Sequence, residues 1–169
     1  MRKTDYDLCI IGGGAAGLVT AAGAASLGAK VILIEKHRLG GDCLYTGCVP
    51  SKTLIHSADV ANTVNTAHRF GLSARLDPID QPSVMKRVAD VIEMIEPNDS
   101  PERFRAMGVE VVFAQAAFID EGRLSVDDRV ITARKFVLAT GSRPFIPPIV
   151  GIDSVDYLTN ESIFNVTEN

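Results

Sequence analysis

The sequence has no tryptophan, only three cysteines and three histidines, and no long basic run. A formal net charge of −4 without a basic patch excludes nucleic acid as the main partner. Three cysteines and no obvious export signal fit a reducing cytoplasm, where a cysteine pair is more often catalytic than structural. His56 and His68 lack a second ligand pair at the spacing of a zinc site, so we expect no bound metal.

Charged side chains are also absent from residues 8–29, shortly after Arg2 and Lys3. Such a stretch resembles a signal peptide or a membrane span. However, Asp5 and Asp7 lie in the would-be basic region, and six glycines interrupt the apolar run. We therefore expect neither membrane insertion nor cleavage, and no membrane partner.

Near the N-terminus, the sequence predicts a buried strand followed by a glycine motif. Residues 7–11 form a short apolar run, in a chain of 169 residues that is long enough for one domain with a core. Gly12, Gly14 and Gly17 then follow the pattern G-x-G-x-x-G. These glycines permit a tight turn, close approach of a pyrophosphate and close packing of a helix on a sheet. A mostly alanine helix is predicted to continue to about Leu27.

Residues 30–35 predict a second buried strand that ends at Glu35, about 20 positions after the glycines. An acidic residue at this place is suited to accept hydrogen bonds from an adenosine ribose. The order of strand, glycine turn, helix, strand and acid predicts a dinucleotide site. The pattern does not separate NAD from FAD, and a tightly packed βαβ unit without a ligand is the alternative. Cys9, in the first strand, is expected to be an inert core thiol.

Cys43 and Cys48 lie five positions apart, each shortly after a glycine, and Pro50, Ser51 and Lys52 follow. In an ideal helix this spacing is roughly 7.5 Å along the axis, beyond normal disulfide reach. A bridge therefore needs a distorted backbone, which glycine permits, and it would be strained and reducible. The start of a helix and the charge of Lys52 would favour a thiolate at Cys48. The pattern leaves open a structural disulfide, half of a zinc site or two unrelated thiols.

The βαβ unit, followed by GGDCLYTGCVPSK at residues 40–52, resembles the start of a flavin-dependent pyridine nucleotide–disulfide oxidoreductase. That family includes dihydrolipoamide dehydrogenase, glutathione reductase and mercuric reductase, and the resemblance extends over essentially the whole chain. It implies that the dinucleotide is FAD, that Cys48 faces the flavin and that Cys43 exchanges with substrate. Lys52 would lie near the flavin nitrogen that accepts hydride.

The same resemblance implies a set of cofactor contacts. Gln115 and Ala116 would touch the adenine through their backbone, and the strand end at residues 139–141 would pack near FAD. The family usually has threonine where this chain has Asp42, and a carboxylate beside the flavin would be expected to shift its potential. The expected FAD-binding residues are Gly12, Gly14, Ala15, Ala16, Gly17, Glu35, Lys36, Gly41, Asp42, Cys43, Cys48, Lys52, Gln115, Ala116, Ala139, Thr140 and Gly141.

The remaining sequence predicts helices and then strands. A long helix is predicted at about residues 49–67, with an apolar face of Leu54, Ala58, Ala61 and Val64. Further along the chain, an amphipathic helix is predicted at residues 83–95, and Ser100–Pro101 predicts the start of a short helix.

Period-2 runs then predict strands at residues 109–113, 116–119, 123–126, 129–132 and 135–139. The fold class is therefore α/β. We expect a Rossmann-like FAD-binding domain whose parallel sheet holds the strands at residues 8–11, 31–34 and 135–139, with a small antiparallel meander packed nearby.

Residues 1–150 are expected to be the N-terminal part of the FAD-binding domain, and residues 151–169 an exit segment toward a missing NAD(P)-binding domain. No second G-x-G-x-x-G unit is present, so we expect an incomplete fragment, inactive alone, of a homodimeric enzyme that also uses NAD(P)H. The predicted function is dithiol/disulfide oxidoreduction through a Cys43–Cys48 disulfide, dihydrolipoamide dehydrogenase-like, with a small-molecule disulfide, dithiol or metal ion as substrate. The alternatives are a mercuric reductase-like enzyme and a nucleotide-binding module with structural cysteines.

Overall fold

The computed structural model describes residues 4–166, which form two compact units. The first unit combines residues 4–43 with Glu96–Ser142, and the second combines Leu44–Ile95 with residues 143–166. Each unit is therefore assembled from two separate stretches of chain. The division into domains at about residue 150 stays a prediction.

In the described residues, four short 3₁₀-helices accompany six strands and five α-helices. The strands and α-helices are numbered separately along the chain. In chain order they are β1 (Tyr6–Ile11), α1 (Ala15–Ser26), β2 (Val31–Glu35), α2 (Gly41–Tyr45), α3 (Cys48–Thr66), α4 (Gln81–Ile95), α5 (Pro101–Ala106), β3 (Glu110–Phe113), β4 (Ala116–Asp120), β5 (Arg123–Val126) and β6 (Arg129–Leu138).

The first unit is built on one six-stranded sheet with the order β3-β2-β1-β6-β5-β4. The pairs β3–β2, β2–β1 and β1–β6 are parallel, whereas β6–β5 and β5–β4 are antiparallel. The predicted α/β architecture, with a parallel sheet and an antiparallel meander, is thus confirmed. The structure also adds β3 as an edge strand of the parallel part, because the register pairs Glu35 with Phe113.

The two strands predicted at residues 129–132 and 135–139 are one continuous strand, so that part of the prediction is wrong. The first part of β6 pairs with β5, as in Arg129 with Val126, and the second part pairs with β1, as in Lys135 with Leu8. No glycine, proline or asparagine separates the two parts, and the chain therefore has no turn residue at which to leave the sheet. The meander is consequently an extension of the parallel sheet and not a separate layer.

Side chains alternate between the two faces of the sheet, and each face has its own cluster of buried side chains. One face is packed around Cys9, Ile32, Ile34, Leu124 and Ile131, and the other around Ile10, Val31, Leu33, Leu18 and Phe104. Leu18 and Phe104 come from α1 and α5, which cover the second face. Fully burying one such side chain stabilises the fold by roughly 1.5–3 kcal/mol, which fixes the register of each strand.

The second unit pairs α3 with α4, and its buried side chains include Leu44, Pro50, Thr53, Met85 and Val88. The predicted apolar face of α3 is only partly correct. Leu54, Ala61 and Val64 are half-buried, but Ala58 is exposed. An alanine buries little area, so its position on a helix is set by larger neighbours and not by its own hydrophobicity. Within residues 4–166, no helix is both long and apolar enough to span a membrane.

Candidate functional site

The glycine turn follows β1 directly and lies against the end of β6. Gly12 has φ +107°, and an ideal Cβ at this position would collide with the carbonyl oxygen of Ala139. A Cβ on Gly17 would collide with the carbonyl oxygen of Gly12. Only glycine therefore lets the turn, the strand end and the first turn of α1 approach so closely.

The start of α1 has the features of an anion site. Gly14 is the N-cap, and no side chain caps the first N–H groups of this 12-residue helix. Ala15 and Ala16 are exposed, so only small side chains lie beside these donors. Uncapped N–H groups and the positive end of the helix dipole together favour a phosphate.

Glu35 ends β2 next to this turn. Its carboxylate accepts a hydrogen bond of 2.7 Å from the backbone N–H of Gly13 and one of 2.8 Å from that of His37. Both donors are backbone groups, so the orientation of the carboxylate is fixed by the chain on either side of it. Lys36, which follows, is exposed.

Residues 39–41 lie alongside the glycine turn. The N–H of Gly40 donates to the carbonyl of Gly13 at 2.9 Å, and Gly40 forms a parallel bridge with Gly14. An ideal Cβ on Gly41, which has φ +56°, would be 2.7 Å from the Cα of Gly14. We call residues 39–41 the latch segment. It brings Asp42 and Cys43, the next residues of the chain, to the edge of the glycine turn.

The other predicted cofactor residues lie at the ends of neighbouring strands. Ala139 N donates to the carbonyl of Ile11 at 2.8 Å, and Thr140 and Gly141 continue from there. Ala114 N donates to the carbonyl of Glu35 at 2.9 Å, so that Gln115 and Ala116 follow at the end of β3. Carboxyl ends of parallel strands meet at one edge of a sheet, which is the usual place of a ligand in such folds.

These features fit a dinucleotide. The collisions at Gly12 and Gly17 show a backbone packed as closely as the turn allows, while an ideal Cβ on Gly14 would have no atom nearer than Gly41 Cα at 3.8 Å. Space beside Gly14, uncapped N–H groups at α1 and an oriented carboxylate at Glu35 are the three elements that a pyrophosphate and its ribose require.

The two cysteines of the motif flank a two-residue break at Thr46 and Gly47, between α2 and α3. Cys43 lies in α2 and is half-buried, whereas Cys48 is the first residue of α3 and is exposed. Because Cys43 comes earlier in the motif, the sequence predicts that it lies nearer the solvent than Cys48, and that prediction is wrong. Its position between the latch segment and the buried Leu44 explains the difference.

Cys48 and Lys52 are one helical turn apart at the start of α3, and Lys52 is exposed. Cys9 is fully buried in β1, and burial raises the pKa of its thiol to about 11. It therefore remains a neutral thiol, as predicted for a core position. Within residues 4–166, no group of three or more His, Cys, Asp or Glu side chains could hold a metal ion.

Sequence reasoning missed two contributors to this site. Gly13 donates to Glu35, and an ideal Cβ on it would collide with the side chain of Leu39. Leu39 is only 4% exposed, although the residues on either side of it are polar or glycine. An isolated leucine between polar residues and glycine is a weak signal, because single apolar residues are also common on protein surfaces.

Comparison with known proteins agrees with this geometry. The family model described as pyridine nucleotide-disulphide oxidoreductase matches residues 6–168. A mercuric reductase of Bacillus cereus is 33% identical over 96% of this chain, and a dihydrolipoyl dehydrogenase of Bacillus subtilis is 30% identical over 98%. A solved Cu(II) complex of the HOCl-induced flavoprotein disulfide reductase RclA from Escherichia coli aligns with a TM-score of 0.74 and 28% identity, over 95% of this chain and 34% of its own.

The chain spans only 26% of the mercuric reductase and 37% of the dihydrolipoyl dehydrogenase. The family match nevertheless covers nearly the whole chain, and members of this family bind FAD and use NAD(P)H as the second cofactor. The strand–turn–helix geometry at Gly12–Gly17 and the placement of Glu35 agree with that cofactor. This chain therefore belongs to the FAD-dependent pyridine nucleotide–disulfide oxidoreductases.

Proposed function

We propose that the protein containing this chain is a dithiol/disulfide oxidoreductase that passes electrons between NAD(P)H, FAD and a redox-active Cys43–Cys48 disulfide. The observation that carries the proposal is the placement of two cysteines on either side of the break between α2 and α3, in a chain of this family. Bound FAD would supply two-electron transfer between the nicotinamide and the disulfide.

The two thiols then perform thiol–disulfide exchange. The Cys43 thiolate attacks one sulfur of a small disulfide substrate, which forms a mixed disulfide and releases one substrate thiolate. The Cys48 thiolate attacks the Cys43 sulfur, re-forms the Cys43–Cys48 bond and releases the second substrate thiolate. The substrate is reduced by two electrons and the cysteine pair is oxidised by two. A dithiol substrate follows the same steps in reverse.

Surroundings of the two cysteines support these roles. Cys48 begins a 19-residue helix whose N-cap, Gly47, provides no side-chain cap. The N–H groups and positive helix end at this place favour negative charge, and Lys52 adds a cation one turn later. Asp42 precedes Cys43 in the first turn of α2 and brings the charge that distinguishes this chain from the family's usual threonine.

The FAD itself would be held by the glycine turn, the latch segment and the strand ends. Gly12, Gly14, Ala15 and Ala16 would line the pyrophosphate, and the Glu35 carboxylate would accept from the ribose. The remaining proposed contacts are Gly17, Lys36, Gly41, Asp42, Cys43, Cys48, Lys52, Gln115, Ala116, Ala139, Thr140 and Gly141.

Dihydrolipoamide is the substrate class that we propose first. Hg(II) is the alternative. It is supported by relatives named mercuric reductase, whose identity to this chain is similar to that of the dihydrolipoyl dehydrogenase. A cysteine pair suits both, because a soft metal ion and a dithiol both react with thiolates. We further propose that the whole enzyme works as a homodimer. The alternative that is not an enzyme is a nucleotide-binding module whose cysteines are structural.

The test uses the whole FAD-loaded enzyme with NADH and NADPH as donors, and lipoamide and Hg(II) as acceptors. We expect Cys43→Ser to abolish turnover while a long-wavelength thiolate–flavin absorption band persists, and Cys48→Ser to abolish both. Cys9→Ala is the matched control and should retain both. Unchanged turnover in the Cys43→Ser and Cys48→Ser variants would exclude the thiol mechanism. A wild-type protein with neither turnover nor a thiolate–flavin band would favour the nucleotide-binding module instead.

A further inference from the structure

The backbone between the two motif cysteines receives a hydrogen bond from far along the chain. The side-chain amide of Asn160 donates to the carbonyl of Thr46 at 3.5 Å. Thr46 is the first of the two break residues between α2 and α3. A donor on this carbonyl restricts the peptide plane at the one place where the segment from Cys43 to Cys48 is not helical.

The turn that carries Asn160 is braced by its own hydrogen bonds. Thr159 N donates to Ser162 Oγ at 2.9 Å, and Glu161 N donates to Thr159 Oγ1 at 3.2 Å. In addition, Ile163 N donates to the carbonyl of Thr159 at 2.9 Å. A turn with this many internal bonds holds its shape without help from the cysteine segment.

A second restraint fixes this turn to the preceding chain. The Arg143 guanidinium donates to both oxygens of Glu161, from Nε at 3.1 Å and from Nη2 at 2.9 Å. Two parallel bonds of this kind define orientation as well as distance. The amide of Asn160 is thus presented to Thr46 from a preorganised turn.

We propose that Asn160 is a positioning residue for the Cys43–Cys48 pair, and that its bond to Thr46 favours closure of the disulfide. This inference rests on the proposed function. Closing a ring is easier when its connecting segment has fewer conformations, because less entropy is lost on closure. The bond is present while both thiols are free, so it acts by restricting the backbone of the open pair and not by a bond gained on closure. Restricting the backbone of about one residue is worth about fivefold in the closure constant, or about 1 kcal/mol.

The measurement is the redox equilibrium of the cysteine pair in glutathione buffers. Closing the S–S bond removes two electrons and two protons from the thiols, and oxidised glutathione takes them up as it is cleaved into two reduced molecules. The fraction of closed pair is read by alkylation and mass mapping. We expect Asn160→Ala and Asn160→Asp to lower the closure constant about fivefold, because one lacks the amide donor and the other replaces it with an acceptor.

Asn165→Ala is the matched control. Asn165 is exposed in the following turn, and its side chain makes no hydrogen bond among residues 4–166. The closure constant of the Cys43–Cys48 pair in this variant should therefore equal that of the wild type. Thermal unfolding of all variants should be unchanged within a degree or two, because Asn160 is exposed. A purely structural role would instead lower the melting temperature and leave the redox equilibrium unmoved.

Closure constants of both Asn160 variants within twofold of wild type would overturn the role of Asn160 and leave the proposed function intact. If the wild-type protein formed no Cys43–Cys48 bond in any glutathione buffer, the proposed function would itself be refuted, and this inference with it.

Discussion

At the scale of the single residue, the three cysteines differ in surroundings and should differ in reactivity. In the reduced, flavin-free chain at pH 8, we expect Cys48 to alkylate first and Cys43 more slowly, because Cys48 is exposed and Cys43 half-buried. Cys9, with a pKa of about 11, holds about one thiolate in a thousand molecules and is buried, so it should react only after unfolding. Timed alkylation with mass mapping checks this order, and early labelling of Cys9 would contradict it.

Gly41 is the residue at which the latch segment depends most on the absence of a side chain. Gly41→Ala should destabilise the chain by about 2 kcal/mol, because alanine is strained at φ +56° and its Cβ would be 2.7 Å from Gly14 Cα. It should also weaken FAD retention, since the glycine turn must move to relieve the contact. Urea unfolding and flavin titration measure the two effects.

Gly23→Ala provides the control for that substitution. Gly23 lies within α1, and an added Cβ would meet no atom within 4 Å. It should raise stability by about 0.5–1 kcal/mol through the helix propensity of alanine. Equal effects of the two substitutions would show that the latch segment tolerates a side chain at Gly41.

At the scale of the element, hydrogen bonds between polar side chains connect three strands of the sheet, β1, β3 and β6. Tyr6 OH donates to Glu110 at 2.6 Å, and Arg129 donates to Glu110 at 3.0 Å and to Tyr6 OH at 3.2 Å. These residues come from β1, β3 and the start of β6. Burial alone would raise the pKa of Glu110, but the bonds from Tyr6 and Arg129 outweigh it and leave that pKa lowered.

The lowered pKa predicts a defined pH dependence. A carboxyl whose folded-state pKa is lowered contributes stability above its unfolded pKa of about 4.3 and loses it as pH falls through the folded value. Glu110→Gln should therefore lower stability at pH 7 by no more than about 1 kcal/mol, since the pair is partly exposed, and the difference from wild type should shrink below pH 4. Urea unfolding across pH 3–7 measures it.

Glu121→Gln, in the exposed β4–β5 turn, is the matched control and should track the wild type throughout. A difference between Glu110→Gln and wild type that stayed constant down to pH 3 would mean that Glu110 acts by packing and not by charge.

The sequence predicts the local features of these elements well, but it does not predict contacts between residues that are far apart in the chain. The glycine turn, the Ser100 N-cap and the period of α4 are local, and each is predicted correctly, whereas the apolar face of α3 is predicted only in part. The continuity of β6 was missed, because its two parts pair with different neighbours on opposite sides. Asn160 was missed as well, since its bond to Thr46 joins distant parts of the chain and leaves no periodic signal.

At the scale of the whole molecule, the family could be predicted from one dense motif, but the substrate could not. Relatives named mercuric reductase and dihydrolipoyl dehydrogenase are similar to this chain at 33% and 30% identity, so similarity does not separate the two substrate classes. In the proposed function, substrate choice would depend on the residues around the two sulfurs, and the resemblance implies a threonine where this chain has Asp42. Assays with both substrate classes are therefore needed to identify the substrate.

The exposed segment at residues 72–80 should be the first site of proteolysis. All nine residues are exposed and lie outside helices and strands, and they include Arg75, whose side chain is 89% exposed. Brief trypsin treatment should cut after Arg75 before it cuts after Lys86 in α4. The two pieces should stay together in native buffer, because α3 packs on α4 across the cut.

Mass spectrometry before and after denaturation follows both the cut and the association, and Arg75→Gln should delay the first cut. An initial cut inside α4, or pieces that separate without denaturant, would contradict the packing of these two helices.

The two neighbours of β1 in the sheet are made at very different times during synthesis. β2 leaves the ribosome soon after β1, so the βαβ unit can form while the rest of the chain is still being translated. β6 pairs with the other edge of β1, as Tyr6 with Ala133, and it is made only after all five α-helices and the strands β2 to β5. A nascent chain must therefore keep one edge of β1 open until β6 has been made. That edge is where nascent chains would pair with one another, so slowed translation between β2 and β6 should promote aggregation.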